Sequence, residues 1–242
     1  MRVVALVVVC VLLSAGTSSA QEWSEYTNVK DGFSVNFPGQ PKLTEMTWTS
    51  QMNYSLPMRV YSAEKGAERY SLTVVDYSGI EQLGAERAKT CPPGNANCRA
   101  NAPAALGPGY SHHDERGAIV YATFKLLQRD AKLNYLAWEW QDMVEGHLLQ
   151  LTNTADRSRT YAWIGMHAHK LFIVEGTVPA GSPEPGLFQQ SVGWVDKDGN
   201  GIRYQTIYSN SYHGMGLYPV PAVAGRGGRG AAPAADAPGR GR

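Results

Sequence analysis

The chain has 242 residues, of which 43% are hydrophobic and 18% charged, with 22 Lys and Arg against 21 Asp and Glu. Loss of Arg2 with an N-terminal leader leaves 21 basic against 21 acidic residues, so no global field draws the mature chain to nucleic acid or to an acidic surface. No apolar run approaches the ~20 residues that a membrane-spanning helix needs.

The first 20 residues have the pattern of a secretory signal peptide. Arg2 gives a positive start, Val3–Leu13 is an unbroken apolar run, and Ser18–Ala20 supplies the small residues that precede a cleavage site. We therefore expect a secreted or periplasmic protein whose mature chain begins near Gln21.

The first element of the mature chain is predicted to be a strand. Asp31–Gly32 favours a turn, and Phe33, Val35 and Phe37 then alternate with polar residues until Pro38 ends the ladder. The alternation predicts one buried face for the three apolar side chains.

The rest of the mature chain contains more strands than helices. Period-two alternation predicts strands over Tyr70–Val74, Leu136–Trp140, His147–Asn153 and Thr160–Met166. Leu171–Val178 is more evenly apolar and is predicted to be a central strand, with a hairpin turn at Lys170 before it. Helical spacing predicts helices over Ile80–Lys89 and Glu115–Arg129, although the second would also suit a strand. Pro183 and Pro185 favour the start of a third, short helix over Glu184–Val192. Paired strands without regular βαβ alternation predict an α+β fold with a mainly antiparallel sheet.

A long loop over residues 91–117 separates the first two predicted helices. Cys91 and Cys98, in CPPGNANC, are the only cysteines outside the leader, and an even pair in an oxidising compartment favours a disulfide that staples the loop. The C-x6-C spacing matches neither zinc ribbons nor C-x-x-C oxidoreductases, so a structural bridge is preferred to metal or redox chemistry.

The last 24 residues, 219–242, consist of Gly, Ala, Pro and Arg with two Val and one Asp. Such a segment cannot bury enough apolar surface to offset its ordering entropy, so we predict a disordered tail behind a single domain over 21–218. Gly225–Gly230 formally matches G-x-G-x-x-G, but no strand precedes it, which excludes a dinucleotide site. The basic tail is interpreted as a solvated linker or a weak anchor to anionic envelope polymer.

Three segments resemble a known family. Tyr26 followed by Asp31–Pro38 (DGFSVNFP) is similar to the N-terminal signature of PsbP-like proteins, which many exported bacterial proteins of uncharacterised function share. Ser158–Val178 resembles the family's later hairpin, and Pro185–Val192 the helix that follows it. The resemblance covers Trp23–Ile207 and implies a PsbP-like α/β/α sandwich with a mainly antiparallel central sheet. It also implies a binding or assembly role, without supplying site residues.

The sharpest local motif is an acidic loop. Asp196, Asp198 and Asn200 occupy positions 1, 3 and 5 of an EF-hand pattern, which makes them weak candidates for calcium. The twelfth position is Ile207, where a bidentate Glu is needed, so a hairpin loop is the preferred interpretation.

A second weak candidate is the H-x-H of His167 and His169, whose spacing would place both on one face of a continuous strand and suits zinc or copper. A third ligand could come only from His147 or the His112–His113 pair, so a strand end with one histidine turned outward at Lys170 is preferred.

Four aromatic residues, Trp138, Trp140, Tyr161 and Trp163, alternate along two predicted strands. Large aromatics on the inner face of a sheet normally fill a core, so burial is favoured over an exposed groove for sugars or peptides.

These features predict an exported accessory or binding protein that is not an enzyme, has no cofactor, and binds an unknown protein or small ligand at the cell envelope. No G-x-S-x-G, H-E-x-x-H or P-loop is present, and no catalytic residue is predicted. One alternative is a secreted hydrolase or metal-dependent enzyme that uses the region of His147, His167 and His169. Another is a structural module whose basic tail binds envelope polymer.

Overall fold

A computed structural model describes residues 22–89, 110–209 and 221–222, giving only the backbone at 110–112 and 221–222. The predicted leader and the predicted Cys91–Cys98 bridge lie outside the described residues. So does the predicted disordered tail, except that Pro221 and Ala222 form a two-residue strand, which the tail prediction did not include. No described helix has the length and apolar character needed to cross a membrane.

The larger of two sheets is built from seven strands: β3 (Lys42–Thr49), β4 (Ser55–Lys65), β5 (Glu68–Asp76), β6 (Ala131–Gln141), β7 (Val144–Asn153), β8 (Arg159–His167) and β9 (Lys170–Val178). Their order is β3-β4-β5-β9-β8-β7-β6, and every neighbouring pair is antiparallel. The sheet therefore consists of two meanders joined where β5 pairs with β9. The five strands predicted within this sheet are confirmed, whereas β3 and β4 were not predicted.

The smaller sheet has four strands: β1 (Trp23–Asn28), β2 (Phe33–Pro38), β10 (Gly193–Val195) and β11 (Gly201–Tyr204). They lie in the order β1-β2-β10-β11, and the short β12 (Pro221–Ala222) extends the β11 edge. Phe33, Val35 and Phe37 are fully buried in β2, which confirms the predicted buried face.

Three helices complete the described fold: α1 (Ile80–Lys89), α2 (Tyr110–Leu127) and α3 (Gly186–Gln189). α1 has the predicted bounds, α2 begins five residues before the predicted start, and α3 is a single turn inside the predicted range. Ile119, Ala122 and Leu126 recur at helical spacing and bury one face of α2.

Two apolar cores lie on opposite faces of the larger sheet. One fills the space between the sheets and includes Trp163, Phe172 and Trp194; the other lies under α1 and α2 and includes Ile164 and Leu171. The protein is thus mostly β, with two antiparallel sheets. The expected α/β/α order is not seen in the described ranges, because the face opposite α1 and α2 carries the smaller sheet and only a one-turn helix.

A buried ion pair fixes the smaller sheet to the larger one. Asp31 precedes β2, and its carboxylate accepts hydrogen bonds from Arg59 Nε at 2.7 Å, Arg59 Nη2 at 2.5 Å and the Tyr61 hydroxyl at 2.5 Å. The Asp31 side chain is fully buried, and the Asn28 side chain accepts its backbone N–H. Hydrogen bonding to this carboxylate and burial both act on Tyr61, and burial, the larger cause, raises the pKa of its hydroxyl. The Asp-Gly turn is therefore an anchor of the fold.

Candidate binding surface

β6 is an edge strand of the larger sheet, and it exposes large apolar side chains along its length. Register with β7 places Leu136, Trp138 and Trp140 opposite Leu149, His147 and Glu145, on the face that α2 covers further along the sheet. The exposed fractions of these three β6 side chains are 44%, 55% and 50%, and Leu133, on the same face, is 41% exposed.

A matching apolar stripe lies on the flank of α2. Val120, Phe124 and Leu127 are 55%, 54% and 38% exposed. Val120 and Leu127 lie three residues before and four residues after Thr123, so the three positions follow one side of the helix. We call the two stripes together the β6–α2 surface: Leu133, Leu136, Trp138 and Trp140 of β6 with Val120, Phe124 and Leu127 of α2.

His147 and Thr123 join the two stripes. Thr123 Oγ1 lies 2.8 Å from His147 Nδ1, and the His147 ring packs edge to face against Trp138 with 5.1 Å between ring centroids. Because the Thr123 hydroxyl donates its proton to the Ile119 carbonyl, it accepts from His147, which places the histidine proton on Nδ1. Burial lowers the pKa of His147, so the ring is neutral at pH 7 and contributes no charge to the surface.

The size of this surface sets it apart from scattered exposed hydrophobic residues. A fully buried aromatic residue buries about 150–250 Å². Phe124, Trp138 and Trp140 are each about half exposed, so together they expose roughly 300 Å². The largest apolar patch on a typical monomer is about 300–600 Å² and is often functional. With its aliphatic members included, the β6–α2 surface is therefore a candidate interaction site.

The four aromatic residues singled out in the sequence divide between core and surface. Tyr161 and Trp163 are 2% and 1% exposed, so the core prediction is confirmed for β8. The same prediction is wrong for Trp138 and Trp140. Their alternation is equally regular, but β6 has no strand beyond it and no helix above it among the described residues, and no signal within the strand itself reports this.

His167 is buried between the two sheets. Its Nε2 lies 2.7 Å from the Tyr204 hydroxyl, and its ring stacks on Trp194 with centroids 4.4 Å apart and 30° between planes. Burial, assisted by the charge of Lys170, lowers the pKa of His167 to about 4. His167 is thus a neutral core residue at pH 7.

His169 points to the other side of the larger sheet. The strand ends at His167, and Ala168 and His169 form the turn with φ of 47° and 61°, so the predicted turn lies before Lys170. His169 Nδ1 bonds Glu115 of α2 at 2.7 Å, which raises the pKa of His169.

The three histidines of the alternative enzymatic hypothesis do not meet. His147 contacts α2, His167 contacts the smaller sheet, and His169 lies in an exposed turn. In residues 22–89 and 113–209, no three His, Cys, Asp or Glu side chains are grouped closely enough to hold a metal ion.

The acidic loop forms the β10–β11 hairpin, as the preferred interpretation had it. Asp196 Oδ1 accepts the backbone N–H groups of Asp198 and Asn200, both at 2.9 Å, and Gly199 takes a φ of 84°. Asn200 also directs its side-chain amide to the Asp196 carboxylate. The carboxylate that would be the first calcium ligand is thus used within its own turn.

A polar cavity of about 340 Å³ lies at the far end of β6, lined by Lys132, Asn134, Thr152, Asn153, Thr154 and Arg157. Several of its amides and hydroxyls already have protein partners: Asn134 bonds the Thr152 hydroxyl at 2.7 Å, and Asn153 bonds the Ser158 hydroxyl at 2.8 Å. The β6–α2 surface therefore remains the stronger candidate. No protein-family model matches the chain, and neither does any curated protein sequence.

Proposed function

We propose that this chain is an exported, non-enzymatic accessory protein that binds another protein through its β6–α2 surface. The observation that carries the proposal is the continuous exposure of Leu136, Trp138 and Trp140 on an edge strand, beside the apolar flank of α2. Interface cores are enriched in aromatic residues and depleted in charge, and this surface has that composition.

The mode of binding that suits this surface is strand addition. An edge strand offers unpaired N–H and C=O groups to an extended segment of a partner, and apolar side chains beside it give the contact affinity. The backbone N–H of Trp140 donates to the side chain of Glu139 at 3.2 Å, so this group points away from β7 and toward the free edge, the side of β6 on which no other described strand lies. The N–H groups of Leu136 and Trp138 point the same way, since the pleat repeats every two residues.

The predicted location and the resemblance to a family support the same role. The signal-like segment of residues 1–20 supports secretion or a periplasmic location, where a protein partner of the envelope is available. The resemblance to PsbP-like proteins also supports binding or assembly, and membership of that family remains a prediction.

Site-specific photocrosslinking tests the proposal. Benzoylphenylalanine at Trp140, on β6, is expected to capture a protein in intact cells. The matched control places the same residue at Met46, which is 54% exposed on β3, the opposite edge of the same sheet. Adducts at neither position, or equal adducts at both, would contradict the proposal.

A further inference from the structure

We infer that the partner bound by the β6–α2 surface is a second copy of this chain, paired β6 to β6 about a two-fold axis that passes through Trp138. This inference rests on the proposed function, since it names the occupant of the same surface. Two-fold dimers are the commonest soluble oligomers, and their interfaces must be self-complementary.

Trp138 lies in the middle of the regular part of β6. A bulge interrupts the strand between Leu133 and Tyr135, and the β6–β7 turn begins after Gln141. The uninterrupted segment is therefore Tyr135–Gln141, and Trp138 is its middle residue. When this segment pairs antiparallel with the same segment of a second copy about Trp138, every residue of Tyr135–Gln141 has a partner residue in the other chain.

Pairing about Trp138 places compatible side chains opposite one another. On the face shared with α2, Trp138 meets Trp138 of the second copy, and Leu136 meets Trp140 twice, which forms one aromatic cluster. On the other face, Ala137 meets Glu139, and Tyr135 meets Gln141. Like charges at directly opposite positions would destabilise a strand pair, and this register places none there.

The direction of the backbone groups agrees with this register. The Trp140 N–H points to the free edge, and Leu136 and Trp138 have the same parity, so all three offer ladder bonds. The Trp138 pair and both Leu136–Trp140 pairs are then hydrogen-bonded pairs. The contact between the Trp140 N–H and Glu139 is local and is replaced by the ladder.

Repulsion between the two Glu139 side chains makes β6–β6 pairing weakest at low ionic strength. The two Glu139 carboxylates lie diagonally, with backbones about 7–8 Å apart, and repel one another across the new ladder. Both are partly exposed, so salt screens this repulsion. Dimerisation is therefore expected to strengthen as ionic strength rises, opposite to an interface made by complementary charges.

Charges introduced at Trp138, on the two-fold axis, test the pairing register as well as the interface. In Trp138→Glu or Trp138→Lys, identical charges meet across the axis, and each variant alone is expected to be monomeric in analytical ultracentrifugation. An equimolar mixture restores the dimer, because Glu then faces Lys. The unmodified chain and the control Met46→Glu, on the other edge strand, are expected to sediment at twice the chain mass at the highest concentration measured. Circular dichroism melts check that the variants fold, since Trp138 lies outside the core.

Three results would overturn the inference. A monomeric unmodified chain at every concentration excludes self-association, and a dimer that survives Trp138→Glu uses another surface. A mixture of the Glu and Lys variants that stays monomeric excludes this register. If the chain is monomeric but Trp140 still captures a different protein in cells, the proposed function stands and the second copy is not its partner.

Discussion

Asp31 shows how one residue converts a common dipeptide into a specific anchor. An Asp-Gly pair before a strand requires only a turn, and Gly32 takes the φ of 79° that a turn of this kind needs. The carboxylate does more, because it bonds Arg59 and Tyr61 of β4 from a position with no exposed surface. A buried carboxylate without these donors would be strongly unfavourable, so the partners and the turn depend on one another.

The buried histidine, His167, predicts a dependence of stability on pH. Its pKa is about 4 in the folded protein and about 6.5 when unfolded. The stabilisation from keeping it neutral is therefore complete above pH 6.5 and is lost as the pH falls toward 4, because the unfolded chain then binds a proton that the folded chain does not. The loss amounts to about 3 kcal/mol of unfolding free energy.

Replacement of the ring tests this directly. In His167→Gln the titrating group is gone, so the stability difference between the unmodified chain and the variant is expected to shrink by roughly 2–3 kcal/mol between pH 7.5 and pH 4.5 in urea unfolding. Tyr204→Phe is the matched control: it removes the hydrogen-bond partner but keeps His167, and burial raises the pKa of Tyr204 to about 12, so its loss removes no group that ionises between pH 4.5 and 7.5. A stability difference that does not change with pH would mean that folding does not lower the pKa of His167.

At the scale of elements, the β7–β8 pair depends on two glycines. Gly146 and Gly165 lie directly opposite each other, and the Trp163 ring extends along its own strand over Gly165. A Cβ at Gly165 would lie 2.1 Å from Cη2 of Trp163, a buried ring with no room to move aside. The absence of a side chain here lets the indole lie flat between the two sheets.

Gly165→Ala is therefore expected to destabilise the protein by about 1–3 kcal/mol, the usual cost of overpacking a core. Gly201→Ala is the control: it is also a strand glycine, but no atom lies within 4 Å of its added Cβ. Its expected effect is within about 0.5 kcal/mol in the same chemical denaturation experiment. Equal effects at the two glycines would refute the role given to the indole.

Local pattern was sufficient for some elements and insufficient for others. β7 could be predicted because its apolar residues alternate with polar ones and are buried accordingly, and β8 and β9 because their mostly apolar runs are buried on both faces. β3 was missed because its side chains are almost all exposed, so no buried face marks it. The β8–β9 turn was misplaced because Ala168 and His169 adopt positive φ without the glycine or asparagine that usually signals it.

The candidate surface could not be predicted for a different reason. The exposure of Trp138 and Trp140 depends on β6 being the last strand of the larger sheet. That position is decided by the pairing of β5 with β9, which joins residues such as Leu72 and Val174 that are far apart in sequence. Alternation within β6 is the same whether the strand is central or at an edge.

For the whole molecule, one sheet serves two cores. Leu72 of β5 belongs to the core between the sheets, Leu171 of β9 belongs to the core beneath the helices, and both side chains are fully buried. Because β5 and β9 are hydrogen-bonded neighbours, neither core can lose its support without disrupting the strands that carry the other. We therefore expect the sheets and the helices to unfold as one cooperative unit.

Matched truncations on the two faces test this expectation. Leu72→Ala and Leu171→Ala each leave a cavity and are expected to lower the unfolding free energy by about 2–5 kcal/mol. The free energies should add in the double variant to within about 0.5 kcal/mol, since the side chains lie on opposite faces and do not touch. The fluorescence of Trp163 and Trp194, recorded with the other four tryptophans replaced by Phe, reports the core between the sheets. In each variant it should give the same transition as the helical circular dichroism signal, because two-state unfolding makes all probes coincide. If Leu171→Ala instead separated an early helical transition from a later fluorescence change, the helices would form an independent layer and the sheet would not couple the two cores.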